Sequence, residues 1–489
     1  MVQHRARIAD SSAVGLIARR GGPVAGPIVA FLVCLLVLAA PDIPAPLPRD
    51  AEWTTYHLDN SRTADDADGA TLRGASPAWT RNDLDAPVYA EPLIYQGVVY
   101  EVTENDSLYA MSAATGRTLW HLRLAAPAVA PILHCTPIVP LGITSTPVID
   151  PATSRLYTVG VVDTVSRTTR YQTWLFAIDL AAHAVLFHVR VDGPGADIDG
   201  YNQRAALTLL GGRVYVPFGG RPGDCGSYHG VITSVRASDG GQLLSFRDTS
   251  GDVTGGGFWA SGGLAVDDGG DLLAASGNAL RHGSFCGAGF ELQNSVLRLT
   301  PTLATAPADR WTPPNWRQLD CYDDDLGVIV PTLLPGTGLV FQSGKAGWAY
   351  LLREWSLGGT APAPFAVDLG AGECRGGAAF DGQFVFVGCQ GGLLALRLEP
   401  VAPSLRLPGR GGWRQSASGC DAEPPILAAG VVWWLDRCHV LHASDPTTGH
   451  PIFHYDVGSG NHFATPAAAL GELFVPTGTG VMAFRMRTA

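Results

Sequence analysis

The residues best equipped for chemistry fall in two short stretches. Asp320-Cys-Tyr-Asp323-Asp324-Asp325 sets four carboxylates close together in the chain. Adjacent Asp repel one another unless a cation sits near, so such a run suits cation binding or general-base work. Lys345, in Gly344-Lys345-Ala-Gly347, is the only lysine among 33 basic residues. An ammonium on a Gly-flanked turn can reach an acidic group or an anionic ligand. It does not belong to a P-loop, because Gly338 is one position too far away and Ala346 replaces Ser or Thr. GxSxG, HExxH, GxGxxG and EF-hand patterns are absent, so the sequence offers no nucleophile elbow, zincin helix, dinucleotide fingerprint or calcium loop.

Cysteine and charge narrow the classes further. One of the nine Cys, Cys34, lies in an apolar N-terminal stretch. The other eight are an even number without CxxC, which predicts disulfides rather than zinc or thioredoxin-type redox chemistry. The spacings favour Cys374–Cys389 and Cys420–Cys438; Cys135, Cys225, Cys286 and Cys321 leave three pairings open. A net charge of −11 without a basic run excludes a nucleic-acid binder.

The elements that must carry these residues follow from internal repetition. Ala110-Met-Ser-Ala-Ala-Thr115-Gly116-Arg-Thr-Leu-Trp120 recurs as Ala443-Ser-Asp-Pro-Thr-Thr448-Gly449-His-Pro-Ile-Phe453. Worn copies run from Ala177 to Phe187 and from Ala237 to Phe246. Alternating strands precede them, with starts at Gly97, Ser154, Gly212, Gly270, Gly338, Gly382, Gly430 and Gly471. Pro92/Gly97, Pro425/Gly430 and Pro466/Gly471 share a Pro-x4-Gly spacing. Short strands with Gly turns at this period predict an all-β fold, a β-propeller of eight four-stranded blades, with seven as the alternative count. The 60 Gly and 35 Pro are then turn punctuation. The Thr-Gly turn should join the two outer strands, and its aromatic should wedge against the next blade. Closure should pair Trp53-Thr-Thr-Tyr56 with the last blade around Val481–Phe484. Arg204, Arg375, Glu423 and His462 precede inner strands of different blades, so they should gather at one funnel mouth.

The Ala-x-Asp-x-x-Thr-Gly-x3-Trp pattern resembles the repeat of the pyrroloquinoline-quinone (PQQ) propeller superfamily. That group includes quinoprotein alcohol dehydrogenases, polyvinyl-alcohol dehydrogenase-like proteins and outer-membrane-assembly propellers. Gly142-Ile-Thr-Ser-Thr-Pro-Val-Ile-Asp150, Asn202-Gln-Arg-Ala-Ala-Leu207 and Asp325-Leu-Gly327 through Gly344-Lys345-Ala-Gly347 resemble exported bacterial PQQ-binding-like propellers. The resemblance spans residues 51–489. It implies PQQ and Ca²⁺ as cofactors, with Trp259 as stacking platform, and Asn278 and Asp224 as metal ligands. Asp320 or Asp323 would be the catalytic base, and Lys345 and Arg204 would contact the ligand. The chain departs from the dehydrogenase pattern in three ways: it has no vicinal Cys pair, no Glu between Glu104 and Glu291, and no CxxCH haem motif.

Arg5, Arg7, Arg19 and Arg20 precede the uncharged stretch Gly21–Ala40. This order is that of a signal peptide or an uncleaved N-terminal membrane anchor over 1–40, with 41–50 as a Pro-rich linker. The body should therefore be extracytoplasmic, touching membrane only through that segment. The expectation is a monomeric binding or scaffold module taking a small molecule or protein at its funnel. The alternative is a quinoprotein dehydrogenase acting on an alcohol or sugar.

Overall fold

Hydrophobic alternation becomes eight antiparallel sheets arranged as a β-propeller. The computed structural model describes residues 52–66, 69–129, 136–164, 171–192, 200–224 and 226–489. The expected leader, the linker, Cys135 and Cys225 lie outside the described residues, and no helix among those described is long and apolar enough to cross a membrane. Blade 1 comprises Leu93–Tyr95, Val98–Thr103, Ser107–Ser112 and Thr118–Arg123, numbered outward from the axis. The innermost strands of blades 2 to 8 are Val148–Asp150, Thr208–Leu210, Ala265–Val266, Thr332–Leu334, Cys374–Phe380, Ile426–Ala428 and Ala467–Ala469. Burial follows position. Inner strands such as Leu93–Tyr95 are buried throughout, whereas the outer strand Thr118–Arg123 alternates.

The Pro-x4-Gly spacing has a direct cause. Gln96-Gly97, Ala429-Gly430 and Leu470-Gly471 each take positive φ at both positions. This is the two-residue hairpin turn whose twist matches the strands it joins. The Thr-Gly turns lie, as expected, between the third and fourth strands, and aromatics dock on them from the preceding blade. Trp79 of blade 8 lies against Gly116 of blade 1, and Trp413 of blade 6 against Gly449 of blade 7. Their indole N–H groups donate to Ala113 O at 2.7 Å and Pro446 O at 2.8 Å. A Cβ at Gly116 would stand 2.5 Å from the Trp79 ring, so the glycine is the space the wedge occupies. Cys374–Cys389 and Cys420–Cys438 are bonded as expected, and Cys286 pairs with Cys321.

Ring closure differs from the expectation. The outer strand of blade 8 is Leu72–Arg81, pairing antiparallel with Gly480–Thr488. Trp53 instead bridges Ile94 of blade 1. From there residues 53–66 circle the axis as a cork. Ile149 N donates to Thr54 O at 2.8 Å, Asn60 Nδ2 to Leu209 O at 3.1 Å, and Val266 N to Asn60 O at 2.8 Å. Leu333 N donates to Ser61 O at 3.1 Å, Phe380 N to Thr63 O at 2.9 Å, and Leu427 N to Ala64 O at 2.8 Å. The segment thus meets the innermost strands of blades 1 to 7 in order. It follows this path because short inner strands leave backbone groups facing the channel, and these need partners.

Arg62 anchors the cork and is fully buried. Its guanidinium donates to Leu264 O at 3.0 Å, Thr55 Oγ1 at 3.0 Å, Tyr56 O at 2.7 Å and Thr208 Oγ1 at 2.9 Å. Arg62→Ala removes a donor from each of these buried acceptors, of which Leu264 O keeps Thr208 Oγ1, and is expected to cost ~3 kcal/mol or more. Denaturant unfolding reads this directly; a loss below ~1 kcal/mol would show that the cork is not structural.

Candidate functional site

The segments that lead into the innermost strands converge at one end of the axis, where the cork residues Trp53, Tyr56 and His57 meet Glu91, Ser261 and Thr465. The connections between second and third strands join them there. Together they line a cavity of about 290 Å³. Blade 3 contributes Arg204, Arg221, Asp224 and Tyr228, and the entry to blade 4 contributes Trp259. Asp323 and Asp325 come from the segment leading into blade 5, Lys345 from blade 5, Arg375 from blade 6, and His462 and Phe463 from the entry to blade 8.

The acidic run divides by local conformation. Helix α1 (Trp316–Tyr322) ends on Asp323, whose left-handed φ of 60° turns the chain back toward the axis. The Cys286–Cys321 disulfide fastens α1 to the neighbouring turn. Asp320, inside α1, is 1% exposed and does not line the cavity. Gln293 Nε2, Asn294 Nδ2 and Ala279 N donate to its carboxyl at 3.2, 2.9 and 3.2 Å. Burial nevertheless raises it to about 7. Asp323 faces the cavity and is half exposed.

Lys345 lies between two of these acids. Its Nζ stands 2.5 Å from Asp325 Oδ2 and 3.2 Å from Asp323 Oδ1, and 5.6 Å from the centroid of the Trp259 ring. Burial acts to lower the ammonium, but Asp325 and Asp323 outweigh it and hold the group above its usual value. Burial raises Asp325 to about 6 against the pull of Lys345. Trp259 packs its inner side against the apolar cluster between blades 5 and 6 and stays partly exposed on the other. A Cβ on Gly277 would lie 2.6 Å from Asp325 Oδ1 and 2.9 Å from Trp259 Nε1, so both groups use the space a side chain would fill.

The amide of Asn278 has a forced orientation. Leu326 N donates to Asn294 Oδ1 at 2.9 Å, which turns Asn294 Nδ2 toward Asn278 Oδ1 at 2.7 Å. Asn278 therefore presents Nδ2, not oxygen, to Asp323 Oδ1 at 3.0 Å. Asp224 lines the cavity and accepts a short hydrogen bond from the Tyr228 hydroxyl; burial raises its carboxyl. Among the described residues, no grouping of three or more His, Cys, Asp or Glu could hold a metal ion. A calcium ion wants six to eight oxygens around one point. An ammonium amid the acids and an Asn pointing its N–H inward do not fit that demand.

Arg204 completes the mouth. Its guanidinium stacks 4.0 Å from the Phe463 centroid and makes no ion pair or hydrogen bond to another described residue. His462 Nδ1 lies 3.1 Å from Glu423 Oε1, and Arg375 pairs with Glu373. Burial lowers Arg204 to about 10, which leaves it charged at neutral pH. The sequence placed Trp259, Lys345, Arg204, Asp224 and Asp323 as candidates, and the structure brings these five to one cavity. Asn278 and Asp320 stand behind its wall. Arg221, Tyr228 and Phe463 line it without having been singled out. Phe463 adjoins His462, and Tyr228 lies in the same Gly-rich connection as Asp224, so position relative to the inner strands could have found both.

Comparison with known proteins is consistent with this architecture. Residues 73–153 match the family described as outer membrane protein assembly factor BamB. A search of curated proteins finds no match. Among solved structures, quinohemoprotein alcohol dehydrogenase from Comamonas testosteroni superposes with TM-score 0.67 at 15% identity, covering 90% of this chain and 81% of that one. A europium-containing methanol dehydrogenase gives 0.57 at 13%, covering 88% and 90%. BamB from Moraxella catarrhalis gives 0.53 at 12%, covering 86% and 100%. At these identities the likeness shows the eight-bladed fold and nothing finer.

Two outcomes follow from the geometry. Gly277→Ala forces Trp259 or Asp325 to move and should destabilise the fold by ~1–3 kcal/mol, read by denaturant unfolding; unchanged stability would show that the loop yields freely. Asp248, Asp320 and Asp325 are raised by burial to about 7, 7 and 6. Unfolded, they titrate near ~4, so the folded chain binds more protons between pH ~4 and ~7. Stability should therefore fall as pH rises through that window, with a higher melting temperature at pH ~5 than at pH ~8. The opposite order would contradict these assignments.

Proposed function

We propose that the protein is an extracytoplasmic binding module whose funnel holds a small, flat, anionic molecule. Arg204 carries this reading. A guanidinium stacked on Phe463, without an ion pair or hydrogen bond to a described residue and facing a cavity, is arranged to take a carboxylate. Trp259 adds an aromatic face on which a planar ring can rest. Three disulfides among the described residues support a location in an oxidising compartment.

PQQ, a planar quinone bearing carboxylates, has the chemistry this cavity selects. Trp259 would support its ring, and Arg204 and Lys345 would meet its anionic and carbonyl oxygens. Bound there, the quinone would supply a two-electron acceptor. The likeness to quinohemoprotein alcohol dehydrogenase favours a second reading, oxidation of an alcohol or sugar. The residues fit the ring and do not fit a calcium centre.

Titration with PQQ, followed by quenching of tryptophan fluorescence, tests the module. Wild-type protein should bind with micromolar or tighter affinity, and Arg204→Ala should weaken binding ~10-fold or more, as loss of a charge-assisted contact does. Absence of quenching at millimolar PQQ would overturn the reading. Protein loaded with PQQ and Ca²⁺ should leave an artificial electron acceptor unreduced when alcohols are supplied; steady turnover would establish the dehydrogenase instead.

A further inference from the structure

We propose that Lys345 is a built-in cation, its ammonium holding, between Asp323 and Asp325, the place that a metal ion would take. The proposal goes beyond the funnel reading and can be tested without a ligand.

The turn that carries Lys345 is fixed by the backbone before its side chain makes any contact. Lys345 N donates to Asp325 O at 3.0 Å, and Gly347 N to Gly344 O at 3.1 Å. A Cβ on Gly344 would lie 2.7 Å from Asp325 O, so the turn lies directly on the acidic segment. From this base the side chain, 15% exposed, passes between Asp325 and Asp323. Two of its three N–H donors are then engaged. The third remains for the cavity, beside the face of Trp259.

The surroundings match an ammonium and not a metal ion. Asn278 offers Asp323 an N–H where a metal site would want an oxygen lone pair, and Asn294 holds it so. Asp325 Oδ1 is occupied by Asn278 N at 2.7 Å, leaving Oδ2 for Lys345. Composition agrees. Every other basic residue is Arg, and the single Lys stands here. A guanidinium is a broad planar fork, whereas an ammonium is a compact point charge of the kind a metal ion also provides. Among the acids around it, Asp224, Asp324 and Asp325 all feel Lys345 as an opposing charge.

Terbium luminescence sensitised by Trp259, with calcium as competitor, tests this on the full chain without PQQ. Wild type and Lys345→Arg should give no emission in the micromolar range. Lys345→Met, which keeps the stem and removes the charge, should bind terbium at least ~10-fold more tightly than wild type. Calcium should compete, and Lys345→Met/Asp325→Asn should lose the gained emission. Equal terbium affinity in wild type and Lys345→Met would overturn the proposal. So would silence of Lys345→Met while its circular dichroism and melting temperature match wild type. PQQ failing to bind would sink the funnel reading alone, since terbium reports the Lys345 site without it.

Discussion

Everything in this molecule depends on how eight short strands meet around one axis. Their backbone groups face a channel too narrow for a further sheet, yet they need hydrogen-bond partners. The chain answers with residues 53–66, which pair in turn with the innermost strands of blades 1 to 7. That single path satisfies the strands as it crosses the channel they surround. The same chain then continues as the outer strand of blade 8, so cork and ring closure are one continuous device. The polar residues at the funnel mouth belong to blades far apart in sequence.

The blades themselves are joined by a repeated local solution. An aromatic on an outer strand lies over the glycine of the next blade's Thr-Gly turn and donates its indole N–H to a turn carbonyl, as Trp79 and Trp413 both do. Tyr157 and Tyr215 reach carbonyls of the following blade, Ala237 O and Pro301 O, in a related way. These contacts recur with the repeat and leave a periodic mark. For that reason the eight starts and the hairpin glycines were legible in the sequence, whereas Trp79 and Trp413, which follow no Thr-Gly motif, were not singled out. Nor was the cork legible. It is irregular, occurs once and meets most blades through its backbone, with Asn60 and Arg62 adding side-chain bonds, so neither periodicity nor composition marks it. Assigning closure to Trp53–Tyr56 failed because a segment that touches many blades through main-chain groups looks like any other loop. Its one visible sign was Arg62, a charged residue whose complete burial no local pattern announces.

At the funnel the division is similar. Residues with strong chemistry were found by type and by their position before inner strands. What they do to one another was hidden. Asn278 is the clearest case: whether it shows oxygen or N–H to Asp323 is decided by Leu326 N, through Asn294, from another part of the chain. Sequence spacing cannot carry such a relay. Asp320 and Asp323 are three residues apart, yet one is sealed behind the wall and the other faces the cavity, because α1 ends between them.

The electrostatics of the mouth then follow from where neutralisation is already complete. Asp325 and Asp323 are answered by Lys345, and Glu373 by Arg375. Burial lowers His462, so this ring lies against Glu423 as a hydrogen-bond partner and not as a cation, and the Glu423 charge acts instead on Arg204, which lies flat on Phe463. In a chain of net charge −11, Arg204 is a cation at the funnel mouth without an ion pair to a described residue. An anion entering the funnel would meet this charge before any hydrogen bond formed. Since Arg204, Trp259 and Lys345 come from three successive parts of the ring, their spacing is held by blade-to-blade packing. Ring closure thus governs the geometry of the site as much as the stability of the fold.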